Sequence, residues 1–140
     1  MTDSSSTNQQ LSKAISQLPI IDTHEHLIQE TERLASNPDL FETFLAHYLS
    51  SDLISAGMSS DELSVLRDPS MPLDTRWTLF APYWDDVRYT GYAQVIEKAV
   101  QGLYGVKGLT DETYETIASR MAERNQSGLY NWVLREKTGI

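Results

Sequence analysis

Apolar residues recur at helical spacing along most of this chain. Near the N-terminus, Leu11, Ala14, Ile15 and Leu18 stand three or four positions apart, which predicts a short amphipathic helix ending at Pro19. From about residue 39 onward the spacing is helical almost throughout. The predicted buried positions of these later helices are Leu40, Phe41, Phe44, Leu45, Tyr48 and Leu49, then Trp77, Phe80, Ala81 and Trp84, then Tyr92, Val95, Ile96, Ala99, Val100 and Leu103, then Tyr114, Ile117, Ala118, Met121 and Ala122, and finally Leu129, Trp132 and Val133.

Start and stop signals divide the helical region. The pattern Ser59-x-x-Glu62 is a capping box and predicts a helix start. Pro82 lies inside a helical stretch, where we expect it to kink or divide the helix, because proline has no N–H to donate. Gly105 stands where a helix-ending glycine is expected, and Gly139 stops the last helix.

One segment predicts a β-strand. Residues 20–24, from Ile20 to His24, begin with two isoleucines that lead into an acidic residue, and they have the character of a strand. A lone strand leaves backbone donors and acceptors without partners, so neighbouring strands are needed. We therefore expect the chain to be the front part of a longer protein whose remainder supplies the other strands.

The composition is that of an ordinary globular protein and excludes several classes of function. Of the 140 residues, 40% are hydrophobic and 22% are charged, which is enough for one domain with its own core. The net charge of −9 argues against binding to nucleic acid or to an anionic membrane surface. The absence of cysteine removes disulfides and zinc–thiolate sites and fits a reducing compartment, and we expect a cytoplasmic protein.

Two histidines at the end of the predicted strand form the main candidate site. Side chains two positions apart point to the same side of a strand, so His24 and His26 are placed to bind one metal ion. Neutral imidazole is a common ligand for transition metals, and a neighbouring carboxylate often orients it. Asp22 is our candidate for that orienting role. Glu25 points away from the histidines if the strand is regular, so a structural role is favoured for it.

Other interpretations of the histidines remain open. From the spacing alone, the alternative is two surface histidines on a loop after the strand, because the HxH pattern is common by chance. His47 lies on the flank of a predicted helix, where an exposed helix residue or a lid residue is favoured over a third ligand. A structural metal site needs four protein ligands, which three histidines and no cysteine do not readily supply.

Arg88 is the second candidate, because it stands among aromatic residues. A buried arginine there would hold a substrate carboxylate through paired hydrogen bonds. Asp85 and Asp86 are close in sequence, and simple pairing with them is the alternative. Aromatic residues at helical spacing more often form core than pocket. The aromatic residues concerned are Trp77, Tyr83, Trp84, Tyr89 and Tyr92.

Several short runs together resemble a known family. Residues 21–27 read IDTHEHL, residues 79–84 read LFAPYW, and residues 88–92 read RYTGY, followed by LYG at 103–105 and LT at 109–110. These runs resemble the amidohydrolase superfamily, and most closely its amidohydrolase-2 and uronate-isomerase-like branch. The first run is similar to the HxH signature on the first strand of that family, and the later runs resemble a helical insertion after it.

The resemblance implies an α/β fold: the N-terminal segment of a (β/α)8 TIM barrel, with the 140 residues themselves mostly α-helical. It implies the barrel portion at 11–140, with a helical insertion at 37–108, while the polar segment 1–10 is expected to be a disordered tail. It also implies a divalent metal, zinc or manganese for example, bound by His24 and His26, with the other ligands and the general base beyond residue 140. A complete barrel takes about 250 residues, so we expect the chain alone to be incomplete and inactive.

The predicted function is accordingly that of the N-terminal portion of a metal-dependent hydrolase. It would act on a small-molecule substrate through metal-activated water, with the missing barrel segment or another copy of the chain as partner. Isomerisation of a uronate and decarboxylation are the alternatives within the family. The alternative from a different class is a small helical binding or regulatory module in which the histidine pair is incidental.

Overall fold

The computed structural model describes residues 4–19 and 21–139, and within them every regular element is a helix. The described residues form two units, one containing those up to Leu27 and from Tyr130 onward, the other spanning Ile28–Leu129. In chain order the helices are α1 (Ser4–Ser16), α2 (Glu30–Ser36), α3 (Leu40–Phe44), α4 (Leu49–Ser55), α5 (Ser60–Leu66), α6 (Leu73–Val87), α7 (Gly91–Tyr104), α8 (Tyr114–Arg124) and a terminal π-helix (Asn131–Lys137). None of these described helices is both long enough and apolar enough to cross a membrane.

The predicted α/β fold is wrong. No strand and no sheet are present in the described residues, and residues 21–29 are neither helix nor strand. Ile20, the first residue of the predicted strand, lies outside the described residues. The physical reason is the one that made the lone strand a problem: an extended segment becomes a strand only when a neighbour accepts and donates its backbone hydrogen bonds. No described segment does so, and the barrel portion predicted for 11–140 is not seen.

The smaller unit contains α1 and the terminal π-helix. The predicted N-terminal helix is confirmed, but it begins at Ser4, within the segment predicted as a disordered tail at 1–10, of which residues 1–3 lie outside the described residues. Its apolar side is solvent-exposed rather than buried, with Leu11 58% and Ile15 59% exposed. In the π-helix the N–H of Thr138 donates to the carbonyl of Val133 at 3.0 Å, five residues back, which is the π-helical pattern.

The larger unit holds one hydrophobic core. Helix α6 packs against α4 and α5, and α7 packs against α4 and α8. Phe80 lies at the centre, with its ring 5.3 Å from the Phe41 ring and 5.5 Å from the Trp84 ring. The Trp84 indole N–H donates to the carbonyl of Leu109 at 3.0 Å, so this large side chain is buried without an orphaned polar atom. The aromatic stripe of α6 is therefore mostly core.

Two capping boxes fix helix starts in this unit. The predicted box at Ser59 and Glu62 is confirmed, and a second one at Asp39 and Glu42 opens α3. In each box the side chain of the N-cap residue accepts a hydrogen bond from the backbone N–H of the glutamate three residues later. The side chain of that glutamate in turn accepts a hydrogen bond from the backbone N–H of the N-cap residue. The predicted stop at Gly105 is also confirmed, with the residue in the left-handed conformation at φ 63°.

Pro82 does not divide its helix. Helix α6 is continuous from Leu73 to Val87, although Pro82 donates no hydrogen bond to the carbonyl of Thr78. The continuity has a tertiary cause, because Phe80 and Trp84 on either side of the proline are both buried in the core. Thr78 is exposed, so water can bond its free carbonyl.

We predict that Pro82→Ala stabilises the protein. Restoring a helix hydrogen bond and removing the ring clash raises the free energy of unfolding by up to about 3 kcal/mol. The unfolded chain becomes more flexible without the proline, which lowers that gain by about 1 kcal/mol. The expected net gain in the free energy of urea unfolding is about 1–2 kcal/mol. Pro72→Ala is the matched control. Pro72 precedes the first residue of α6 with φ −55°, a natural proline conformation, so its replacement should destabilise slightly. Equal changes in the free energy of unfolding for the two variants would show that Pro82 does not destabilise α6.

A buried arginine joins three helices of the larger unit. The Arg76 guanidinium, in α6 and 2% exposed, forms an ion pair with Asp39, and it also donates to the carbonyl of Leu66 at 3.4 Å. It lies 5.3 Å from the centre of the Phe41 ring. Because Asp39 also caps α3, this one carboxylate both starts a helix and neutralises a buried charge.

Asp39→Ala should therefore destabilise far more than an ordinary cap mutation. Loss of the cap costs about 1 kcal/mol, and leaving the Arg76 charge buried without its partner adds several more, for a total of about 3–5 kcal/mol. Ser59→Ala is the control, since it removes the equivalent cap without touching a buried charge and should cost about 1 kcal/mol. Both are measured by urea unfolding followed by circular dichroism. If Asp39→Ala and Ser59→Ala lower the free energy of unfolding equally, the ion pair contributes nothing beyond the cap.

Candidate functional site

The two predicted metal ligands lie together on an exposed loop of the smaller unit. His24 and His26 are both solvent-exposed, and their Nε2 atoms are 2.8 Å apart. The ring centres are separated by 4.7 Å, and the ring planes meet at 70°. The convergence does not come from a strand, because this loop has no regular secondary structure.

The contact between the rings restricts their protonation. At 2.8 Å one Nε2 must carry a hydrogen and donate it, while the other Nε2 must accept with its lone pair. The two imidazoles therefore hold different tautomers when both are neutral. To bind one metal ion through both Nε2 atoms, the donating ring has to move its proton to Nδ1.

The pair fits a divalent metal in part. Two imidazole nitrogens bound to one tetrahedral ion at about 2.1 Å lie about 3.4 Å apart, so the two Nε2 atoms would have to separate by about 0.6 Å. Exposed side chains allow that change easily. No group of three or more histidine, aspartate or glutamate side chains in the described part of the chain could hold a metal ion. The two histidines alone would supply only two of the ligands that such an ion needs.

Asp22 lies beside the pair, but it contacts the backbone rather than a ring. Its Oδ1 accepts the N–H of His24 at 3.0 Å, which tightens the loop around the first histidine. When Glu25 carries its proton, its carboxyl group donates a hydrogen bond to the Asp22 carboxylate. This bond lowers the pKa of Asp22, with the His24 N–H contributing second, and it raises the pKa of Glu25. The Asp22 carboxylate therefore favours its charged form, but its contact is with the backbone N–H of His24 and not with a ring nitrogen, so the orienting role stays a prediction.

Arg88, the predicted substrate ligand, lies in the larger unit and is engaged by acidic side chains. Its guanidinium lies 3.6 Å from the carboxylate of Asp85 and 3.7 Å from that of Glu97. The same group sits 5.9 Å from the centre of the exposed Tyr89 ring. The side chain is one-third exposed, so it is neither buried nor free to present a fork to a carboxylate. These contacts favour a structural role.

The larger unit also contains an apolar cavity that the hydrophobic pattern did not predict. His47 lies in the bend between α3 and α4 and lines this cavity together with residues of α7, such as Tyr92 and Ala99. The volume is about 390 Å³. The sequence feature that could have predicted this cavity is the width of the apolar face of α7. Its apolar positions, Val95 among them, cover more of the helix than one core face needs, and Val95 is 66% exposed.

Comparisons with the models of known protein families, with curated proteins and with solved structures give no match to this chain.

Proposed function

We propose that His24 and His26 bind one divalent metal ion, zinc in the first instance, and contribute it to a metal-dependent hydrolase. The observation that carries the proposal is the 2.8 Å approach of the two Nε2 atoms on an exposed loop. After a change of tautomer and a separation of about 0.6 Å, both nitrogens could bind one ion, and Asp22 adds negative charge beside them.

The hydrolase part of the proposal combines this geometry with the sequence resemblance to amidohydrolases. When bound, such an ion lowers the pKa of water and polarises a carbonyl oxygen. The two histidines hold the ion, and Asp22 orients the loop through the His24 N–H. Because two nitrogens are too few for a tight catalytic site, the further ligands and the general base come from other protein segments. The amidohydrolase family itself remains an expectation from the sequence.

Zinc titration tests the metal site. We predict that the chain binds one zinc ion, observed by calorimetry and by shifts of the imidazole resonances, and that His24→Ala or His26→Ala weakens binding by at least about tenfold. His47→Ala is the control, because His47 is exposed like the pair but lies in the larger unit. The zinc affinity of the His47→Ala variant should stay within about twofold of that of the wild type. Zinc binding that survives both single mutations would disprove the site.

A second experiment tests the reaction class. The native assembly, isolated through a tag on this chain, should hydrolyse members of a panel of esters, lactones and amides. The activity should disappear with a chelator and in the double variant His24→Ala/His26→Ala, since both remove the metal. Chelator-resistant hydrolysis, or the absence of any hydrolysis, would count against a metal-dependent hydrolase.

The second candidate function is a helical binding module with an incidental histidine pair. The observation that favours it is the core of the larger unit, which helices alone form within the described residues and in which Phe41 and Phe80 are fully buried. This candidate predicts cooperative unfolding that zinc does not shift. In either case we place the protein in the cytoplasm, on the ground that its sequence contains no cysteine.

A further inference from the structure

The histidine pair stands on a loop that is open to a second molecule. Every residue from 21 to 27 is solvent-exposed, and this stretch belongs to the smaller unit. The rings of His24 and His26 meet at their Nε2 atoms, 2.8 Å apart. A metal ion bound by both rings would therefore stand at the surface of the chain, where the side chains of another molecule can reach it.

The coordination number of zinc leaves two positions to fill. A closed zinc site in a protein has four ligands in a tetrahedral arrangement. His24 and His26 supply two of them, and the same pair from a second copy supplies the other two. In a twofold symmetric dimer the same surface of each chain meets its twin. An ion on the twofold axis would be bound identically by both copies, so four imidazoles complete the site.

Apolar side chains close to the histidines are exposed as well. Leu18 is 65% exposed, Ile21 84% and Leu27 50%, and all three belong to the smaller unit. Each lies within six residues of one of the histidines. Exposed apolar residues that are concentrated in one segment are typical of a surface that another protein covers. Contact between two copies through this segment would bury part of that apolar area around the ion.

The distribution of charge makes the smaller unit the better meeting surface for two copies. Its two sequence segments contain three lysine and arginine residues against four aspartate and glutamate residues, a net charge of −1. The segment Ile28–Leu129 contains eight against sixteen, a net charge of −8. Like charges oppose association. Approach through the smaller unit brings little net charge together, and a zinc ion adds positive charge between the two copies.

From these observations we infer that two copies of this chain share one zinc ion through His24 and His26 of each copy. The inference rests on the metal binding of the proposed function and names a partner for the same site. Four imidazoles fill every position of a tetrahedral ion, so the paired form holds the metal without a place for water. Hydrolysis requires that other ligands replace one of the two histidine pairs. The dimer is thus a closed form of the site.

Sedimentation velocity and native mass spectrometry of the full chain test the pairing as zinc is added. The chain should be monomeric in a chelator. At about one zinc ion per two chains, the main species should be a dimer that contains one ion. With zinc in large excess each chain should keep its own ion, and the dimer should dissociate by mass action. A dimer that forms equally in the chelator would overturn the inference.

The failure of this inference can be told from the failure of the proposed function. Chains that bind zinc through the two histidines but stay monomeric at every ratio would disprove the shared ion and leave the metal site in place. Chains that bind no zinc would disprove both. Cobalt provides a second measurement, because its visible absorption is intense in a four-coordinate site and weak in a six-coordinate one. The intense absorption should reach its maximum at about one cobalt ion per two chains.

Variants of the histidines test which residues bind the shared ion. The double variant His24→Ala/His26→Ala should stay monomeric at every zinc ratio, because it lacks all four imidazoles of the paired site. His47→Ala should form the same zinc-dependent dimer as the wild type, since His47 lies in the larger unit. Zinc-dependent dimers of the double variant would overturn the inference.

A pair of isoleucine variants tests the surface around the ion. Ile21→Asn keeps both imidazoles and removes an apolar contact, so the dissociation constant of the zinc-bound dimer should rise by at least about tenfold. Ile54→Asn makes the same exchange at an isoleucine of the larger unit that is 50% exposed, and its dissociation constant should stay within about twofold of the wild type. Circular dichroism confirms that each variant is folded. Equal dissociation constants for the two variants would contradict the proposed contact surface.

Discussion

The ion pair between Arg76 and Asp39 is the constraint on which the larger unit depends. A guanidinium that is 2% exposed carries a desolvation cost of several kcal/mol, which only a well-placed carboxylate offsets. Asp39 can pair with Arg76 only if α3 begins at Leu40, because the same side chain caps that helix. The start of α3, the position of α6 and the carbonyl of Leu66 at the end of α5 are thereby coupled. Apolar packing around Phe80 supplies most of the favourable energy, but this polar contact sets where the helices begin and meet.

The sequence predicts those parts of the fold that depend on local chemistry. The capping box at Ser59 and the stop at Gly105 are determined by side chains within four residues of each other, and both are as predicted. The continuity of α6 through Pro82 and the pairing of Asp39 with Arg76 depend on partners distant in sequence, so local patterns miss them. The predicted strand fails for the same reason. An extended apolar run near residue 21 indicates only that a strand is possible, and whether it forms depends on a neighbour.

The histidine pair shows how a site prediction can rest on a wrong structural premise. Spacing of two along a strand predicted that His24 and His26 point the same way, and the strand is absent. The rings nevertheless approach, because a loop tightened by the Asp22 carboxylate lets one imidazole donate to the other. Residue type and proximity in sequence were enough to find the pair. What the sequence could not give is the number of further ligands, since these would come from residues far away along the chain or from another chain.

The two candidate sites differ in how well they are organised before a ligand arrives. The histidine loop is exposed and lacks regular structure, so binding a metal there must also order two side chains and shift a ring proton. The cavity beside α7 stands on helices whose inner faces, at Ile96 and Val100, are buried in the core. The residues beside α7 are therefore held in place by the core itself, whereas a metal ion at the loop would also need ligands supplied from elsewhere.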